Sequence, residues 1–254
     1  MSLIRLISVT KRLGVQTVLD RIDFRIEAGE RVGLIGQNGS GKTTLLRLLV
    51  GECEPDSGSV ERMRGVRVAY LPQTPVLDAL GNVYEAALSA NKELLDLEKR
   101  LESMTTELDN AEPSLIHEFD LLQEMFSQKG GFIFRSKTTQ VLAGLGFSEA
   151  DFQLPIYALS GGQRTRLLLA IILLSEADLY LMDEPENHLD LEAREWLENF
   201  ITSSEKAFVI VSHDRRMLNH AVTRIVEVDN SGLKSFSGSF DAYQDWKRLV
   251  VEQQ

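Results

Sequence analysis

Gly36-Gln37-Asn38-Gly39-Ser40-Gly41-Lys42-Thr43 stands between the apolar run Arg31 to Ile35 and a helix-forming segment, Thr43 to Val50, that stops at Gly51. A glycine, four residues and then Gly-Lys-Thr is the phosphate-loop pattern. Its glycines let backbone N–H groups converge on an anion at a helix N-terminus, Lys42 reaches the β- and γ-phosphates, and the Thr43 hydroxyl can ligate Mg²⁺. Strand, glycine loop and helix in that order open an α/β unit, so the expected fold class is α/β.

Upstream of the loop, Ile4, Leu6 and Val9, then Val18, Ile22, Phe24 and Ile26, alternate with polar residues. Gly14 and the turn Ala28-Gly29-Glu30 punctuate them, which predicts a small antiparallel sheet. Downstream, Val66 to Leu71 reads as a strand halted by Pro72. From Asn82 to Phe126 the period changes: Leu94, Leu97, Leu101, Met104, Leu108 and Ala111 form a heptad seam, and Leu115, Phe119, Leu122 and Phe126 resume it after Pro113. Two antiparallel helices turning near Asp109 to Pro113 are expected, closed by Lys129 and Gly130-Gly131. α/β character then returns. Leu167 to Leu174 is expected as a buried helix, Leu179 to Met182 and Phe208 to Val211 as buried strands, Leu191 to Ile201 as a helix after Asp190, and Ile225 to Val228 with Leu233 to Phe236 as a hairpin.

The 254 residues carry 27 Lys and Arg against 38 Asp and Glu, a net charge of −11, with 43% hydrophobic residues. That is the make-up of a globular chain and excludes collagen-like and wholly disordered classes. The single cysteine, Cys53, excludes an intrachain disulfide and suits a reducing, cytoplasmic setting. The longest apolar run, Leu167 to Leu174, is far too short to span a bilayer, and the opening MSLIRLISVTKR lacks a signal-peptide layout, so the chain is not expected to be transmembrane. Acidity disfavours indiscriminate nucleic-acid binding. Residues 82–126 hold 11 acidic and 3 basic side chains, a local −8, so the rest of the chain is nearly neutral.

Two further stretches carry chemistry. Leu179 to Met182, ending in Asp183-Glu184-Pro185, offers Asp183 as a Mg²⁺ ligand and Glu184 as the group that polarises an attacking water. Leu159-Ser160-Gly161-Gly162-Gln163 is a second anion-ready helix start, with Ser160 able to cap it. With these motifs in order the chain resembles the ATP-binding cassette (ABC) family, whose signature is LSGGQ. The resemblance implies an ABC-type P-loop NTPase core with an N-terminal antiparallel β subdomain and a helical subdomain carrying an inserted helical hairpin. It further implies an ATPase that uses Mg²⁺, and a head-to-tail dimer in which Ser160, Gly161, Gly162 and Gln163 of one cassette close over the nucleotide of the other. Gly36, Asn38, Gly39, Ser40, Gly41, Lys42, Thr43 and Thr44 would bind the nucleotide. Thr43, Gln73 and Asp183 would hold the metal, and Glu184, His213, Gln73 and Lys42 would carry catalysis, with Asp190 in the loop between cassettes. His117, His188 and His220 have no metal-ligand company.

Within the family the chain resembles the ABC-F group, cassettes that act on the ribosome rather than in transport. Asp183-Glu-Pro-Glu-Asn-His-Leu-Asp190 looks like that group's DEPTNHLD, Ser212-His-Asp-Arg215 follows, and Phe236 to Tyr243 resembles its closing aromatic segment. Gly130-Gly131-Phe132 and Gly144-Leu-Gly-Phe147 look like a first cassette, and the 87 positions between Gln73 and Ser160 leave room for an inserted arm. The expected layout is a cassette over 1–81 and 127–243, a hairpin over 82–126 and the start of a linker at 244–254. The implied partners are ATP, a second cassette in the same chain or a second copy, and the ribosome, which the arm would meet through protein or a few phosphates at Lys92, Lys99 and Arg100. The alternative is the cytosolic ATPase subunit of a transporter, partnered by a membrane permease. Four departures stand out: no second cassette follows by Gln254, Leu13 falls where an aromatic often stacks on adenine, Gln163 stands where an aromatic is common, and Glu186 replaces Thr, putting negative charge beside Glu184.

Overall fold

The computed structural model describes residues 1–74, 77, 81–105, 113–229 and 232–251. In chain order it begins with β1 (Ser2–Leu13), β2 (Gln16–Glu27), β3 (Arg31–Ile35), α1 (Lys42–Val50), β4 (Ser57–Arg62) and β5 (Val68–Leu71). Five helices follow: α2 (Val83–Leu88), α3 (Lys92–Thr105), α4 (Pro113–Gln128), α5 (Phe134–Gly144) and α6 (Gly161–Leu174). The chain then runs through β6 (Leu179–Asp183), α7 (Leu191–Ser203), β7 (Ala207–Val211), α8 (Arg215–His220), β8 (Arg224–Asp229), β9 (Gly232–Ser237) and α9 (Phe240–Val251). Two compact units result, Met1–Pro75 with Ala177–Gln254, and Val76–Glu176. Among the described residues no helix is long and apolar enough to cross a membrane.

The first unit holds two sheets. The antiparallel sheet runs β2-β1-β4, and the second runs β5-β6-β7-β3-β8-β9, parallel from β5 to β8 with β9 antiparallel at the edge. The alternation of Ile4, Leu6, Val9, Ile22, Phe24 and Ile26 places these side chains in a core shared with Leu45, Leu46, Leu48 and Leu49 of α1 and with Val32, Leu34, Leu179, Leu181 and Val209 of the parallel sheet. Every residue of β6 and of β7 is buried, the pattern of central parallel strands covered on both faces. The sequence reading misses β4, whose Ser-Gly-Ser start has weak strand propensity. Its place depends on Gly58 at φ 83°, where a Cβ would lie 2.4 Å from the Ser8 carbonyl oxygen. β5 begins at Val68 rather than Val66, because the Val66 N–H is used in a turn with the Met63 carbonyl.

In the second unit the residues expected as a plain hairpin begin with a separate short helix. Asn82 caps α2, accepting from the Glu85 N–H at 2.8 Å while Glu85 returns to the Asn82 N–H at 3.3 Å. A 3₁₀ turn, Ser89–Asn91, intervenes before α3. The heptad seam buries Leu94 and Met104 on α3 and Leu122 and Phe126 on α4. Lys129 pairs with Glu93 at 2.9 Å, and Arg100 with Glu118, tying the two helices antiparallel. Arg100 is therefore already committed to an ion pair inside the hairpin. Leu108, Ala111 and the expected turn from Asp109 lie outside the described residues, as do Asn230 and Ser231. Residues 244–251, expected to open a linker, continue α9, with Trp246 against Phe236 and Tyr243.

Candidate functional site

Four neighbouring strands of the parallel sheet end on the same side, and each releases a motif from its C-terminal end. The order β5-β6-β7-β3 sets Gln73, then Asp183 and Glu184, then His213, then the glycine loop side by side. This is where parallel sheets bind ligands, because the strands' carboxyl ends open onto loops and helix N-termini. A cleft of about 510 Å³ lies there, lined by Lys42, Thr43, Thr44, Gln73, Asp183, Glu184 and His213 among others.

Gly41 stands at the start of α1 with φ 105°, and a Cβ on it would lie 2.8 Å from Val18 Cγ1, so only glycine fits. Gly36 is equally constrained, at φ 151° with the Val228 carbonyl oxygen 2.4 Å from a Cβ. Lys42 is 8% exposed and its Nζ donates to the carbonyl oxygens of Gly36 at 2.8 Å and Gln37 at 3.0 Å. Burial pulls its pKa below the ordinary lysine value, opposed by the charges of Asp183 and Glu184. Ser40 Oγ is buried and has no hydrogen-bond partner among the described residues.

Thr43 Oγ1 donates to Asp183 Oδ2 at 2.8 Å, joining the helix start to the end of β6. Burial raises the Asp183 pKa, the Thr43 hydrogen bond opposes this, and Glu184 adds to it. The group is more protonated when folded than unfolded, so its contribution to stability is present below its unfolded pKa and is lost as pH rises through the folded one. At neutral pH the bare carboxylate is thus a cost to the nucleotide-free fold. Asp183→Asn, which can still accept from Thr43, is expected to raise the Tm of the nucleotide-free protein at pH 7. The difference should shrink in acid, and calorimetry at both pH values reads it; a lower Tm at pH 7 would contradict this account.

Glu184 follows with φ 53°, a left-handed backbone that is unfavourable for a non-glycine residue and typical of functional loops. Its N–H donates to the Val211 carbonyl at 2.8 Å, which fixes the turn against β7. Its carboxylate accepts from Asn187 Nδ2 at 2.9 Å and Gln73 Nε2 at 3.3 Å, and His213 Nε2 stands 3.8 Å from its other oxygen. Asn187 is a partner that the sequence reading missed; its position three residues after Glu184, in the same turn, is the signal that was there. Asp190 caps α7, accepting from the Ala193 N–H at 2.9 Å.

Glu186 is buried, and its carboxyl is engaged by Ser212, whose Oγ donates to Oε1. Burial raises its pKa and favours the neutral acid. Leu13 lies 56% exposed at the mouth of the cleft, with Gln16 and Val18 beside it. His220 pairs with Glu198 at 3.2 Å, and among the described residues no three or more His, Cys, Asp or Glu side chains are arranged so that they alone could hold a metal ion.

Ser160, Gly161, Gly162 and Gln163 belong to the other unit, at the start of α6. Ser160 Oγ accepts from the Gln163 N–H at 3.2 Å and Gln163 Oε1 accepts from the Ser160 N–H at 2.9 Å, a capping box that accounts for glutamine at this position. A Cβ at Gly161 would meet nothing within 4 Å, so its own surroundings do not demand glycine there.

Residues 19–187 match the family model described as ABC transporter. The chain is 32% identical over 257 residues to the uncharacterized ABC transporter ATP-binding protein YfmM of Bacillus subtilis, covering 100% of this chain and 50% of that protein. It is 35% identical over 258 residues to ABC transporter F family member 2 of Arabidopsis thaliana, covering 99% of this chain and 38% of that one. Among solved structures its fold resembles an ATP-binding subunit of an ABC transporter, with a TM-score of 0.69 at 20% identity over 97% of this chain and 94% of that one. The chain spans about half or less of the length of the curated relatives it matches.

Proposed function

Because this chain belongs to the ABC transporter family of ATP-binding domains, we propose that it binds and hydrolyses Mg-ATP as one half of a head-to-tail pair of cassettes. The observation that carries the proposal is the meeting of Lys42, Thr43, Gln73, Asp183, Glu184 and His213 in one cleft at the ends of adjacent parallel strands.

The residues present fit Mg²⁺. The Thr43 hydroxyl and an Asp183 carboxylate oxygen are 2.8 Å apart, both hard oxygen donors, and among the described residues the buried carboxylate meets cations only through the longer-range fields of Lys42 and Arg47. Gln73 donates through its nitrogen to Glu184, which leaves its amide oxygen for the metal. Mg²⁺ is commonly bound by one or two protein groups together with substrate phosphates, and when bound it would neutralise charge on the β- and γ-phosphates.

The chain's own residues supply the rest. Gly36, Asn38, Gly39, Ser40, Gly41 and Thr44 shape the phosphate cradle, and Lys42 leaves its two carbonyl partners for phosphate oxygens. Glu184, oriented by Asn187 and Gln73, holds the attacking water, and His213 contacts the γ-phosphate from the neighbouring strand end. In-line attack needs positioning and charge neutralisation more than covalent chemistry. Ser160, Gly161, Gly162 and Gln163 of a partner cassette complete the site, with Asp190 near the junction. The open space at Gly161 supports this, since glycine there leaves room for a neighbour's phosphate. A lone cassette is then a poor ATPase.

For the biological role we infer an ABC-F translation factor acting on the ribosome. The similarity to an F-family member over nearly the whole chain and the helical insertion support it. The test is co-sedimentation of the full-length protein with ribosomes, with and without ATP. ATP-dependent enrichment is expected; its absence, with recovery of a membrane permease in a pull-down instead, would favour the transporter reading.

A further inference from the structure

We propose that Glu186 is a positioning residue that clasps the loop between β6 and α7 to the loop between β7 and α8, and so sets the distance between Glu184 and His213. This rests on the hydrolytic reading of the cleft.

Glu186 and Ser212 are 6% and 1% exposed, one on each loop. The Asp214 N–H donates to Ser212 Oγ at 2.9 Å, so the Ser212 proton is directed at Glu186 Oε1. Asp214 Oδ2 accepts from Arg194 Nη1 at 3.3 Å, and Arg194 Nε donates to the Leu189 carbonyl at 3.1 Å. The circuit closes where the Leu189 N–H donates to the Glu186 carbonyl at 3.2 Å. Glu186, Ser212, Asp214, Arg194 and Leu189 thus form one hydrogen-bonded ring across the two loops. Glu184 is two residues before Glu186 in one loop, and His213 is between Ser212 and Asp214 in the other. The same Asp214 caps α8, accepting from the N–H groups of Arg216 at 2.8 Å and Met217 at 3.3 Å, which anchors the second loop to a helix.

A threonine in place of Glu186 has too short a side chain to make the same span from the same backbone. Glutamate closes the ring by accepting from Ser212, and burial shifts its carboxyl pKa upward, against the Ser212 hydrogen bond, which lowers it. Glu186 Oε2 is buried with no hydrogen-bond partner among the described residues, a cost that a purely space-filling residue would avoid.

The test compares Glu186→Gln, Glu186→Leu and Ser212→Ala in the full-length protein, reading kcat, KM for ATP, Tm and amide exchange at residues 212–214. Removing one buried hydrogen bond corresponds to roughly a tenfold change. Glu186→Leu and Ser212→Ala are expected to lower kcat about tenfold with KM within about twofold, to speed amide exchange at Asp214, and to be non-additive when combined. Glu186→Gln, which keeps an acceptor for Ser212, is expected to restore kcat to within about twofold. A Glu186→Leu protein with lower Tm but unchanged kcat and exchange would overturn the proposal, as would Glu186→Gln being as impaired as Glu186→Leu. If the parent protein shows no Lys42-dependent ATP hydrolysis, the hydrolytic reading fails, and the exchange rate at the Asp214 amide still decides whether the clasp exists.

Discussion

Glu184→Gln is expected to lower ATP turnover by about 10²–10⁴-fold, the range for losing a positioned general base, while ATP still binds. The substitution keeps size and shape in a tight place. Glu184 has a left-handed backbone at φ 53°, its N–H is tied to Val211, and its carboxylate is held by Asn187 and Gln73. A glutamine oxygen can still accept from those amides, so the loop should persist and only the negative charge, which in the hydrolytic reading orients water, is lost. Binding and turnover should therefore separate: ATP affinity stays within a few-fold, and the bound state accumulates because its exit by hydrolysis is blocked. In the cassette-pair reading that state is the closed one, so saturating ATP should produce a stable association of two cassettes in light scattering. A variant that hydrolyses normally and shows no ATP-dependent association would remove both the base assignment and the pairing.

The central fold was legible because its motifs sit where parallel strands end. Arg31 to Ile35, Leu179 to Met182 and Phe208 to Val211 are short apolar runs followed at once by Gly36, Asp183 and Ser212-His213, and this is how buried parallel strands that release polar and glycine-rich loops read in sequence. Other elements depend on tertiary context. β4 is a Ser-Gly-Ser-Val edge whose pairing with β1 is written in the backbone of Gly58 against Ser8 rather than in apolar periodicity. α5 contains Thr138 and Thr139, which lower helix propensity. Thr138 is nevertheless buried, its hydroxyl bonded to the Phe134 carbonyl at 2.8 Å. The heptad seam was legible, but the break between α2 and α3 was not, because the apolar spacing continues across the turn at Ser89–Asn91.

In the site itself, residue types were easier to read than orientations. Glu186 looked like a second carboxylate beside Glu184 at the end of β6, and only the structure reveals its side chain turned onto Ser212. Gln163 likewise looked like a signature letter, and its side chain is occupied with capping α6. The acidity of the insertion also changes meaning once pairs are visible. Glu93, Glu98 and Glu118 meet Lys129, Arg135 and Arg100, so part of the local charge serves to fasten the helices of this unit. Exposed pairs of this kind contribute at most about 1 kcal/mol each, so they set register more than stability.

Lys42→Met is expected to weaken ATP binding by on the order of 10²–10⁴-fold, since one ammonium group would lose charge-assisted contacts to two phosphates worth roughly 1.5–3 kcal/mol each. The geometry explains why this lysine is poised for the task. Without a phosphate, its charge is desolvated and, among the described residues, hydrogen-bonded to the carbonyl oxygens of Gly36 and Gln37, with Asp183 and Glu184 providing longer-range support. Two neutral carbonyls compensate a buried cation poorly, so a triphosphate gains the full strength of the ammonium at little competing cost. The nucleotide-free protein is expected to tolerate the change: methionine fills the stem's volume, removes a poorly compensated charge and leaves two carbonyl oxygens without that donor, effects of opposite sign. Isothermal titration with ATP and thermal unfolding without it separate the two statements. A Lys42→Met protein that binds ATP within about threefold of the parent would mean that the loop from Gly36 to Thr43 does not hold the phosphates. A protein that fails to fold at all would mean that Lys42 is a structural cation, which the lowered pKa from burial argues against.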